Sequence, residues 1–192
     1  MLKQLARFIL WLGGWQAVGD IPDEPKAVLI AAPHTSNWDF LYLKLSATML
    51  GVQLQWMGKH TLFKGILGPF TRRMGGVPVD RMSRNNVVDQ MVRQFEINKR
   101  LVLTIPPEGT RSYVEYWKSG FYYIAKNANV PIVLSKLDYG RKRSGIGETI
   151  FPVGDISEVM DRIREYYKDA CAKFPDQFGR IRLKEEDEAE EG

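Results

Sequence analysis

Apolar residues come along this chain in short unbroken runs separated by amphipathic stretches. Residues 26–32 (KAVLIAA), 101–105 (LVLTI) and 131–137 (PIVLSKL) are such runs. Their length and continuity are those of strands buried on both faces of a sheet. Shorter extended pieces are expected at 54–57, at 77–79 and over 146–153, with a break at Pro152. Helical spacing fills the intervals. Phe40, Leu41, Leu43, Leu45 and Met49 mark a helix over 38–50 that Gly51 ends, and Val88, Met91, Val92 and Phe95 mark another over 85–98. Further helices are expected over 118–127 and 156–174. Segment 62–74, interrupted by Gly65, Gly68 and Pro69, reads as one or two short helices. Strands alternating with helices predict an α/β fold: a single domain with a mostly parallel central sheet flanked by helices. Neither an internal repeat nor a linker divides the chain, so the domain is expected to span 1–184.

The first fifteen residues carry Leu2, Leu5, Ile9 and Leu12 at helical spacing, with Phe8, Trp11 and Trp15 beside them and Lys3, Gln4 and Arg7 among the polar positions. Two readings share this pattern: a short basic helix lying in a membrane interface, and a first helix packed into the core. The apolar run 8–12 is far short of the roughly 20 residues of a membrane span. No signal-peptide pattern is expected either.

The net charge of +4 is unevenly distributed. Residues 185–192 hold six acids and no base, so the rest of the chain stands at +10 without them. This end reads as a solvated, disordered tail. A basic body favours anionic partners such as a membrane surface, a phosphorylated substrate or nucleic acid. Nucleic-acid binding would gather aromatic and basic residues on one sheet face. The run Arg141, Lys142, Arg143 is more simply a loop, so no nucleic acid is expected. The single Cys171 excludes an internal disulfide framework and points to a reducing compartment. Cys171, His34 and His60 lack the spacing of metal ligands, so no metal is expected.

Two segments carry candidate chemistry, HTSNWD (34–39) and PEGTRS (107–112). Each follows an apolar strand, so the topology of parallel sheets places both on the rim at the strands' carboxyl ends. On a continuous helix His34 and Asp39 would stand about 140° apart. With His34 in the loop, Asp39 can fold back to accept the Nδ1 proton and leave Nε2 free as a base. The competing reading makes Asp39, Ser36 and Asn37 simple helix caps. Arg111 at a strand end suits bidentate phosphate binding, beside Gly109 and Thr110. Glu108 is open between orienting Arg111, binding a hydroxyl and capping the turn. In GGVPVDR (75–81), Arg81 reads as a second phosphate ligand or an exposed hairpin charge. Pro131 reads as a loop-to-strand boundary.

The ordered blocks HTSNWD, GGVPVDR, PEGTRS and VPIVL resemble the four motif blocks of the glycerolipid acyltransferase family, of lysophosphatidate acyltransferase type. The resemblance covers about residues 26–138. It implies that His34 is the base and Asp39 its partner. It implies that Arg81, Glu108, Gly109, Thr110 and Arg111 bind the acceptor, chiefly its phosphate, and that Pro131 lies near the acyl-donor site. The implied reaction moves a fatty acyl group from acyl-CoA or acyl carrier protein to a lysophosphatidate-like hydroxyl, without a covalent intermediate and without a cofactor. Pro33, Pro78 and Pro106 stand where the family usually has Asn, an aromatic residue and Phe. They leave room for another lysolipid acceptor, such as a lyso-amino-acid lipid. The rival from outside enzymology is a non-catalytic module that binds anionic lipid. The expected location is the cytoplasm, peripheral on the inner face of an anionic membrane.

Overall fold

The computed structural model describes residues 1–80 and 84–190. Its centre is a seven-stranded sheet in the order β1-β7-β6-β2-β5-β3-β4. The strands are β1 (Gln16–Val18), β2 (Lys26–Ala32), β3 (Leu54–Lys59), β4 (Gly76–Val79), β5 (Leu101–Ile105), β6 (Ile132–Asp138) and β7 (Arg143–Ile150). Every neighbouring pair is parallel except β6 and β7. The expected mostly parallel α/β layout is therefore the one observed.

Strand β2 shows why the run 26–32 is apolar throughout. Successive side chains point to opposite faces. Val28, Ile30 and Ala32 enter one core with α4 (Arg84–Ile97), α5 (Gly120–Ala128) and α6 (Ile156–Tyr167). Ala27, Leu29 and Ala31 enter the other core beneath α2 (Asn37–Leu50). Truncating Leu29 or Ile30 to Ala would cost about 2–5 kcal/mol at such fully buried positions.

Helix α1 (Leu2–Leu12) packs on α2. Its faces divide between the core and solvent. Only Ala6 and Leu10 face the core. Leu2, Leu5, Phe8, Trp11 and Leu12 are all more than half exposed, with Ile9 at 37%. Trp15, just past the helix, is the residue that enters the interior.

Three expectations are corrected. The helix expected over 156–174 stops at Tyr167, whose buried ring and hydroxyl bond to the Ser135 carbonyl, 2.8 Å, anchor its end on the sheet. The chain then turns back over the sheet rim. The stretch expected as a disordered acidic tail is instead helix α7 (Lys184–Glu190). Its acids meet cations of the body: Glu186 pairs with Arg164 at 2.8 Å, and Asp187 with Arg182 and Arg180. Those bases are thereby neutralised locally, and the +10 estimate overstates the free positive charge. The short β1 escaped sequence reading because three residues between glycines carry no periodic signal.

Candidate active site

The parallel order β6-β2-β5 brings three strand ends together on one rim. His34 leaves β2, Glu108 follows β5, and Tyr139 follows β6. Helix α2 starts beside them, capped by Ser36, whose hydroxyl accepts the Trp38 N–H at 3.2 Å. Asp39 completes a capping box, its Oδ2 accepting the Thr35 and Ser36 N–H groups at 2.7 Å each. The same Oδ2 lies 3.5 Å from His34 Nδ1. Asp39 thus caps the helix, and the same oxygen stands near the imidazole. The Asp39 side chain is 1% exposed and that of His34 20%, so the carboxylate is sealed while the imidazole reaches solvent.

Glu108 sits under the same loop. Its Oε1 accepts the His34 backbone N–H at 2.9 Å. Its Oε2 is buried without a hydrogen-bond partner. Burial pushes the Glu108 carboxyl up to about 7, against the opposing pull of the backbone hydrogen bonds it accepts and of His34. Its hydrogen bond from the His34 N–H ties the second motif to the first. It braces the loop that carries His34.

Gly109 turns at φ +67°, a left-handed conformation that disfavours a side chain. Thr110 and Arg111 are exposed on the rim. Arg111 Nη1 donates to Asn37 Oδ1, bringing the guanidinium beside the first turn of α2. His34, Asp39, Glu108, Gly109, Thr110 and Arg111 are therefore brought together. Arg81 lies outside the described residues; Asp80 before it directly follows β4, on the same rim but at the sheet's edge.

Pro131 is not brought to this rim. It precedes β6, and Ile132 pairs with Val28, four residues before the end of β2. Four strand residues span about 13 Å, so Pro131 lies toward the opposite end of the sheet. The parallel register thus carries Pro131 away from His34.

Sequence reading missed two parts of the site. Tyr139 donates from its hydroxyl to Asp39 Oδ1 at 2.7 Å, across 100 residues of chain. Residues 168–178 cross the rim as a strap. The Phe174 N–H reaches Thr35 Oγ1 at 3.3 Å, and the Gln177 amide donates to the carbonyls of Thr35 at 3.0 Å and Arg111 at 2.6 Å. Gln177 thereby ties the two motif loops to each other. An open cleft of about 370 Å³ lies alongside, between Trp38, Tyr42 and Tyr139, with Lys142 and Lys173 also lining it. Among the described residues no group of three His, Cys, Asp or Glu side chains is placed to hold a metal ion.

A solvent-reached imidazole beside a sealed carboxylate thus lies at the carboxyl rim of a parallel sheet, where the sites of such sheets form. The particular family follows from comparison with known proteins. The acyltransferase family profile matches residues 18–134, more than half of the chain. The chain belongs to the acyltransferase family. None of the curated proteins matches it significantly. Among solved structures it is similar to the crystal structure of the 1-acyl-sn-glycerophosphate (LPA) acyltransferase PlsC from Thermotoga maritima. The TM-score is 0.57 and the identity 19%, over 90% of this chain and 80% of that one. At that identity the likeness speaks for the shared fold.

Proposed function

We propose that this acyltransferase moves a fatty acyl group from a thioester donor, acyl-CoA or acyl carrier protein, to the hydroxyl of a lysophosphatidate-like acceptor. The observation that carries the reading is the His34–Asp39 pair on the rim, with the Arg111 guanidinium beside it. His34 Nε2 takes the acceptor's hydroxyl proton as the oxygen attacks the thioester carbonyl. Asp39 holds the Nδ1–H tautomer and stabilises the imidazolium. Arg111 receives the acceptor's phosphate as a planar fork, with Arg81 as its second ligand. No covalent acyl-enzyme is needed, and the serine nearest in sequence, Ser36, already uses its hydroxyl as a helix cap.

The test is an acyl-transfer assay over a panel of lysolipids, each offered with acyl-CoA and with acyl carrier protein. The account expects the phosphomonoester acceptor to give the highest kcat/KM. Preference for a lyso-amino-acid lipid would overturn the acceptor assignment. Anionic-lipid binding without transfer to any acceptor would overturn the enzymatic reading.

The reading includes a place of work, the inner face of an anionic membrane. No described helix is long and apolar enough to cross a bilayer. The exposed stripe of α1 ends at Trp11, 71% exposed. A second apolar prominence, Leu62, Ile66, Leu67 and Phe70, follows β3 on the active-site rim, with Ile66 98% exposed. Lys59, Lys64, Arg72 and Arg73 surround it in sequence, and residues 40–79 contain no acid. Each such base contributes about 1 kcal/mol near an anionic surface, and the apolar side chains add insertion. Vesicle sedimentation should show salt-sensitive binding to anionic lipid that falls in Trp11→Ser and Ile66→Ser. Equal partitioning onto neutral vesicles, indifferent to salt, would refute the electrostatic part.

A further inference from the structure

We infer that Tyr139 is a positioning residue that sets the basicity of His34 by acting through Asp39; the inference rests on the general-base reading above. Asp39 divides its two oxygens between different donors. Oδ2 accepts the Thr35 and Ser36 N–H groups and faces His34 Nδ1, whereas Oδ1 accepts the Tyr139 hydroxyl at 2.7 Å. Tyr139 is the side chain that draws carboxylate charge away from the imidazole.

The phenol is held where it must be to do this. Its backbone N–H donates to the Cys171 carbonyl at 2.8 Å, within the strap that crosses the rim. Its ring meets the edge of Trp15 at 4.8 Å between centroids and that of Tyr42 at 6.2 Å, while Trp15 stacks on Tyr42 at 4.1 Å. Burial and the neighbouring Asp39 carboxylate both push the Tyr139 hydroxyl to higher pKa, so it remains a donor throughout the working range. The anchor on the far side, Trp15, belongs to the segment that leaves α1. The exposed N-terminal helix and the candidate base are thereby joined through three aromatic rings and one hydrogen bond.

The charged and titratable groups that face the His34 loop are Asp39 from α2, Glu108 beneath it, Arg111 at Asn37, and Lys173 over the Trp38 ring at 5.2 Å. Removing the Tyr139 hydroxyl leaves all four in place. It leaves more of the Asp39 charge facing Nδ1, which favours imidazolium. Tyr139→Phe should therefore move the midpoint of His34 titration upward from that of the unsubstituted protein. On the acid limb of the pH–rate profile fewer molecules then hold a neutral base. The kcat should fall there, recover toward wild type as pH rises, and leave KM unchanged.

The chain has two histidines, so NMR titration reads His34 directly with His60 as its internal control. Tyr42→Phe is the second control, because it keeps the ring stack and has no bond to Asp39. The expected result is an upward move of His34 alone in Tyr139→Phe, with an acid limb of the pH–rate profile that moves with it. In an Asp39→Asn background the same substitution should have no further effect on kcat, as required if it acts through Asp39. An unmoved His34 midpoint, or a loss of kcat that is uniform with pH, would overturn the inference and make Tyr139 a packing residue. Full activity of His34→Ala would instead bring down the general-base reading itself, and the NMR titration would still report whether Tyr139 governs His34.

Discussion

Replacing Asp39 by asparagine measures how one carboxylate divides its work between holding a helix and supporting a base. Asp39 accepts two backbone N–H groups through Oδ2 and the Tyr139 hydroxyl through Oδ1. In Asp39→Asn the amide oxygen can keep the two N–H bonds, and the amide nitrogen then faces the Tyr139 oxygen. The cap survives, but its bonds lose their charge assistance and the helix N-terminus loses its anion. These losses amount to about 1–2 kcal/mol of stability, which for a chain of this length lowers Tm by roughly 2–8 °C. The effect on turnover should be far larger, since loss of the charged partner of a catalytic histidine can cost on the order of 10⁴ in kcat. Turnover per folded molecule, with thermal melts of the same samples, separates the two. Ser36→Ala provides the comparison: it removes a cap bond at about 1 kcal/mol and should leave turnover intact. If Asp39→Asn instead keeps its turnover and shows only the stability loss, Asp39 is a helix cap and the dyad reading is wrong.

Two further predictions concern the second motif. The Glu108 carboxyl, raised from 4.5 to about 7 by burial, keeps a proton in the folded state that the unfolded chain has released. Its contribution to stability is complete below about pH 4.5 and is lost as pH rises through 7, by about 3 kcal/mol. Glu108→Gln, which keeps an acceptor for the His34 N–H, should flatten the fall in stability between pH 5 and 8 in urea titrations; an unchanged slope would contradict the assignment. Arg111→Lys keeps the charge and loses the planar fork, so the acceptor's KM should rise on the order of tenfold with the donor's KM unchanged. Normal acceptor affinity in this variant would point to an acceptor without phosphate.

The parts of this molecule legible in its sequence are those fixed by local periodicity and strand burial. Residues 26–32 and 101–105 form strands over those same limits, because both are largely buried on two faces and read as near-continuous apolar runs. Gly51 ends α2 in the left-handed conformation its lack of a side chain allows, at φ 95°. That HTSNWD and PEGTRS share a rim followed from topology, and the Glu108 contact to the His34 N–H bears it out. What was illegible depends on long-range contact. Tyr139 before Gly140 looks like an ordinary turn, and only the β2–β6 pairing brings it to Asp39. The acidic C-terminal residues look solvated in isolation, yet Arg164, Arg180 and Arg182 draw them into a helix. Residues 168–174 keep helical composition but serve as the strap over the rim, where Cys171 and Phe174 bond to Tyr139 and Thr35.

The central claim is that His34 removes the acceptor's proton, and His34→Ala tests it most directly. The imidazole is partly exposed and its backbone N–H, which bonds Glu108, is untouched by the substitution, so the fold should be retained by circular dichroism and melting. Steady-state acyl transfer from acyl-CoA to lysophosphatidate should then fall by about 10²–10⁴ in kcat, the usual contribution of a general base. Turnover within a few fold of wild type in the folded variant would contradict the account.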